Sequence, residues 1–172
     1  MEPLDNGALQ SFLNAASIPR ASGGGLALQY RARVVRTIVV QLVADDFPDH
    51  ARAVLDTILR SADSWVLIAR YGHVPIDLLL ATHAPVQAVT FDAAEADHVA
   101  AFLASHGPPT VSGGNDVYLI ARDGRMLLTW DHHWDEGIDV GCVDVQRASL
   151  LLIALNELGT ELELYSTGSP HD

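Results

Sequence analysis

Apolar positions along this chain change their period several times, and each change predicts an element. Val54, Leu55, Ile58 and Leu59 recur at helical spacing behind Pro48, a residue suited to a first helical turn. A helix is therefore expected from about Pro48 to Ala62. Trp65 to Tyr71 and Val86 to Phe91 are short apolar runs rich in β-branched and aromatic residues, the composition of strands. Between them, Ile76 to Ala81 is apolar but fits neither period, which leaves 73–85 unassigned. Asp92-Ala93-Ala94-Glu95 has capping-box spacing and predicts a helix that opens there and stops at Gly107. Asp144 caps a further helix whose stretch Leu150 to Leu155 is apolar nearly all round, so it is expected to be the most buried helix, ended by Gly159. Glu161-Leu162-Glu163-Leu164-Tyr165 alternates as a final strand.

Two regions read less simply. Val34, Val35, Ile38, Val39, Leu42 and Val43 sit at helical spacing, yet β-branched residues dominate 34–43 and favour a strand buried on both faces. Residues 1–25 end in Ser22-Gly23-Gly24-Gly25 after one short helical candidate at Ala8 to Ala16, the pattern of a flexible N-terminal extension. The globular domain is then expected over 26–166, with a polar tail over 167–172.

Asp123-Gly124 lies between two apolar runs and is the sharpest local signal. Asp-Gly favours the positive φ angles of a two-residue type I′ hairpin, and such a loop sets a register. It pairs Arg122 with Arg125, Leu119 with Leu128, Val117 with Trp130 and Asp116 with Asp131. Val117, Leu119, Ala121, Met126, Leu128 and Trp130 then share a wholly apolar face, the expected core side, while Tyr118, Ile120, Leu127 and Thr129 share the other with charged residues. The alternation of strands and helices predicts one domain of the α/β or α+β class. It contains a mixed sheet with an antiparallel hairpin at about 116–131, covered by helices.

Composition narrows the function. With 172 residues and 49% apolar side chains the chain can bury a full core without a disulfide or metal staple. No apolar run approaches the ~20 residues of a membrane span, and Met1-Glu2-Pro3-Leu4-Asp5 lacks the basic start and apolar core of a secretory signal. A cytoplasmic location is the expectation. The single Cys142 can supply neither an internal disulfide nor a paired zinc motif. All ten basic residues are arginines, which removes lysine-based phosphate loops, Schiff bases and lysine general bases.

The formal net charge is -12 and is unevenly placed. Residues 1–44 hold four arginines against Glu2 and Asp5, whereas 45–172 hold six against twenty acids, so most of the molecule repels nucleic acid and anionic membrane and attracts a basic partner.

Chemistry concentrates in Trp130-Asp131-His132-His133-Trp134-Asp135-Glu136-Gly137, directly after the second hairpin strand. Two readings follow. As a recognition surface, His132, Trp134, Asp135, Glu136 and Asp139 combine an aromatic anchor with charge that steers a basic protein. The protein would then be a small acidic, non-enzymatic binding domain of the immunity, inhibitor or chaperone type. As a metal site, Asp116, Asp131 and His133 would hold a divalent ion in a mixed oxygen and nitrogen set, because a cation between them relieves two facing carboxylates. The protein would then be a metal-dependent hydrolase drawing on Asp116 and residues 131–136, with the ion activating water. No other cofactor is implied. Binding is the preferred reading. A helix apolar on all sides is also the composition of an oligomer interface, so self-association is a further expectation.

Overall fold

The computed structural model of the chain describes residues 1–16, 34–42, 48–69, 76–82, 86, 88–106, 117–130 and 137–166. Within these residues eight strands form one sheet: β1 (Glu2–Leu4), β2 (Arg36–Gln41), β3 (Ser64–Ala69), β4 (Ala88–Asp92), β5 (Val117–Ala121), β6 (Met126–Trp130), β7 (Gly137–Cys142) and β8 (Leu162–Ser166). Their order is β1-β4-β3-β5-β6-β7-β2-β8. Among the described residues every pairing is antiparallel, so the sheet there is not mixed and the fold is a single α+β domain. The helices are α1 (Asn6–Ala15), α2 (Asp49–Leu59), α3 (Ile76–Leu79), α4 (Ala96–His106) and α5 (Val145–Glu157), with a 3-10 turn at Ala93–Glu95 leading into α4.

The expected β-branched strand forms at β2, and the unassigned apolar piece is the single turn α3. At the start of α4 the Glu95 carboxylate accepts from the Asp92 N–H at 3.1 Å, as the capping-box spacing predicts. Asp144 caps α5 by accepting from the N–H groups of Gln146 and Arg147.

The hairpin register is the expected one, with Val117 opposite Trp130 and Leu119 opposite Leu128. Its loop differs from the expected form. Gly124 is at φ +70°, but Asp123 is not in the left-handed region. The Gly124 N–H donates to the Ala121 carbonyl at 2.8 Å, and the Asp123 side chain accepts from the Arg125 N–H at 2.9 Å. This is a type I turn followed by a left-handed glycine, so Arg122 and Arg125 belong to a longer loop and do not pair.

One face of the sheet carries Ile38, Val40, Trp65, Leu67, Val89, Phe91, Val117, Leu119, Met126, Leu128, Ile138 and Val140, all buried beneath α2, α4 and α5. Trp65 is tied into this core by its indole N–H, which donates to the Leu59 carbonyl at 2.7 Å. The opposite face corrects two expectations. Residues 1–16 are not an appendage: β1 pairs with β4, and α1 buries Leu9 and Leu13 against Val66, Ile68, Tyr118, Ile120 and Leu127. The hairpin therefore buries apolar side chains on both faces. The glycine run Gly23 to Gly25 and the tail 167–172 lie outside the described residues.

The helix α5 is also less buried than its composition predicts. Leu151 and Leu155 are in the core and Leu152 is half-buried, but Leu150 and Ile153 are 62% and 58% exposed. The helix lies over β7 and β2 beside α2, which covers one stripe and leaves the remaining apolar side chains outward.

Candidate functional site

Seven of the eight site residues expected from sequence, Asp116, Asp131, His132, His133, Trp134, Asp135 and Glu136, lie outside the described residues. Their attachment points are described. Trp130 ends β6 on the core side, where it is 4% exposed, and Gly137 begins β7 opposite Gln41. Residues 131–136 thus join two neighbouring antiparallel strands. Asp116 and Asp131 adjoin the paired residues Val117 and Trp130 in sequence.

Asp139, the eighth, stands on β7 with its side chain on the face opposite α2, α4 and α5. Alternation requires this, because Ile138 and Val140 on either side are fully buried under the helices. Strand pairing sets Thr129, Asp139, Val39 and Glu163 side by side in one row across β6, β7, β2 and β8. Thr37 and Tyr165 form a second pair two residues along on the same face. In this half of the sheet Thr37, Val39, Gln41, Thr129, Asp139 and Tyr165 are half-buried and Glu163 is exposed, whereas the half beneath α1 is closed.

The Tyr165 hydroxyl donates to the Glu163 carboxylate. That hydrogen bond, then partial burial and the neighbouring Glu163 and Asp139 charges, push the tyrosine's pKa above its ordinary value, because a phenolate would be repelled by both acids. Tyr165 therefore remains a neutral donor in an acidic row. Asp139 was among the residues named from the sequence, whereas Glu163 and Tyr165 were not. Their alternation in Glu161 to Tyr165 was legible, but nothing local says that β8 returns beside β2.

A concavity of about 580 Å³ opens between α2 and α5, away from this row, and is lined by Thr57, Arg60, Ser61, Gln146, Arg147 and Leu150 among others. Its charges are matched internally. Arg60 pairs with Asp56 at 2.8 Å, Arg147 with Asp123 at 2.6 Å and Arg125 with Asp144 at 3.5 Å.

Nucleophilic chemistry finds no support at Cys142. Its side chain is buried on the helix side, and desolvation pushes the thiol up to about 11, so it stays protonated. Among the described residues no group of three or more His, Cys, Asp or Glu is placed to hold a metal ion, and no helix is long and apolar enough to cross a membrane. Compared with known proteins, the chain matches no family model, no curated protein and no solved structure.

Proposed function

We propose that this protein is a non-enzymatic cytoplasmic binding domain that captures a basic protein partner, in the manner of an immunity protein, inhibitor or chaperone. The observation that carries the reading is the row Asp139, Val39 and Glu163 with Tyr165 beside it. Two carboxylates and a neutral hydroxyl stand on one face of the sheet, flanking an apolar side chain. A lysine or arginine of the partner would meet both acids, while Val39 and the Tyr165 ring supply apolar contact. His132, Trp134, Asp135 and Glu136 precede β7 in sequence and share the same acidic and aromatic composition. The charge surplus of the chain steers such a partner toward the face.

The test is immobilised wild-type protein against Asp139→Asn/Glu163→Gln, with captured proteins identified and association followed by biolayer interferometry. The wild type is expected to retain a basic protein whose association slows as salt rises. The double variant is expected to lose most of that capture at an unchanged melting temperature. Equal capture by both would overturn the reading. The same preparations examine the hydrolase alternative. Divalent-ion binding that Asp131→Asn and His133→Ala abolish would instead assign Asp116, Asp131 and His133 to a metal site.

A further inference from the structure

The two edges of the sheet are built differently. At one edge, β1 is three residues long and contains Pro3, both features that discourage further pairing. At the other, β8 is five residues long, contains neither proline nor lysine, and exposes half of Leu164. Among the described residues β8 has a neighbour on one side only, β2.

The direction of its backbone groups follows from one hydrogen bond. The Gln41 N–H donates to the Glu161 carbonyl at 3.0 Å, so Glu161 faces β2. Residues in an antiparallel strand alternate in bonding side. Glu163 and Tyr165 therefore also bond β2, while Leu162, Leu164 and Ser166 direct their N–H and carbonyl groups outward.

We infer that β8 pairs with β8 of a second copy of this chain, antiparallel about a two-fold axis at Leu164. Such an axis keeps the helix-covered face of both copies on the same side, so only residues of like parity stand opposite one another. An axis at any of the five strand residues satisfies this, but one at Leu162 or Ser166 pairs only that residue within the strand. The register centred on Glu163 sets two carboxylates face to face, which is repulsive. The one centred on Tyr165 leaves Leu162 without a partner in the opposing strand. The register centred on Leu164 avoids both faults. It sets Leu164 against its copy, Leu162 against Ser166 and Glu163 against Tyr165, so every outward backbone group of the strand is paired. Glu163 then meets the hydroxyl-bearing side chain it already accepts from within its own copy. The acidic row would run continuously across both copies and present two capture sites.

Each copy carries a net charge of -12, so screening favours the pair. Dimerisation should strengthen with salt, whereas capture of a basic protein should weaken. The opposite signs keep the two proposals distinguishable.

The experiment is sedimentation equilibrium of the full chain from micromolar to sub-millimolar concentration, at low and high sodium chloride. Wild type is expected to show a monomer–dimer equilibrium that shifts toward dimer at high salt. Leu164→Pro removes an outward N–H and no β2 bond, so dimerisation should weaken at least about tenfold while the circular-dichroism melt persists. Leu164→Lys places a charge at the centre of the seam, and should do the same if the proline variant fails to fold. A wild type that stays monomeric at every concentration and salt would overturn the proposal. So would a dimer indifferent to a folded Leu164 variant.

Discussion

Gly141 occupies a place in β7 where a methyl group has no room. A Cβ built on it would lie 2.8 Å from Cγ2 of Val34, 3.5 Å from Cγ1 and 3.7 Å from Cβ. Carbon atoms attract best at about 3.5 to 4.0 Å, so the first contact is deep in repulsion and the third is ordinary. Val34 is 5% exposed and held by the adjoining Val35 N–H, which donates to the Cys142 carbonyl at 2.9 Å, so the valine cannot simply swing into solvent. Overpacking of this kind costs about 1 to 3 kcal/mol, and replacing glycine by alanine returns roughly 0.4 to 1 kcal/mol through the unfolded chain. Gly141→Ala should therefore lose about 1 to 2 kcal/mol, read as a lower urea midpoint at unchanged slope. Val34→Ala removes both offending methyl groups. In that background Gly141→Ala should be neutral or slightly stabilising, giving a coupling of about 1 to 2 kcal/mol in a double-mutant cycle. Strict additivity of the two substitutions would refute the argument, because the loss could not then arise from the Val34 contact.

Three further outcomes are expected. Gly124→Val should cost at least about 1 to 2 kcal/mol in thermal or urea unfolding, because a β-branched residue resists φ near +70°. Leu155→Ala, at a fully buried position, should destabilise by about 2 to 5 kcal/mol, whereas Leu150→Ala, 62% exposed, should change stability by no more than about 0.5 kcal/mol; equal melting shifts would contradict the assigned faces of α5. Stability should fall as pH rises from 9 toward 11, since the folded thiol of Cys142 titrates near 11 and an unfolded one near 9.0. The raised value means this contribution is complete below pH 9 and lost above it, by on the order of 2 to 3 kcal/mol, and Cys142→Ala should flatten that part of the pH–stability curve.

Local pattern alone determined a good part of this protein. The periods over Val54 to Leu59 and Trp65 to Ile68, the Asp92 and Asp144 caps and the Asp123-Gly124 loop each act within a few residues of themselves. The helices and strands they specify appear where expected, whereas the Asp123-Gly124 loop is longer than the two-residue turn its sequence predicts. The hairpin register was legible for the same reason, since a short loop and a period of two leave one way to place Leu119 and Leu128 together.

What only the tertiary structure decided depends on which surfaces meet. Tyr118, Ile120 and Leu127 are buried because α1, distant in sequence, covers that face of the hairpin, and no local period encodes a roof supplied by another segment. Leu150 and Ile153 are outward although as apolar as Leu151 and Leu155, because a helix lying on one face of a sheet is covered along one stripe only. The acidic row has the same origin. Asp139, Val39 and Glu163 come from three strands far apart in the chain, and only the order β7-β2-β8 brings their side chains to one face.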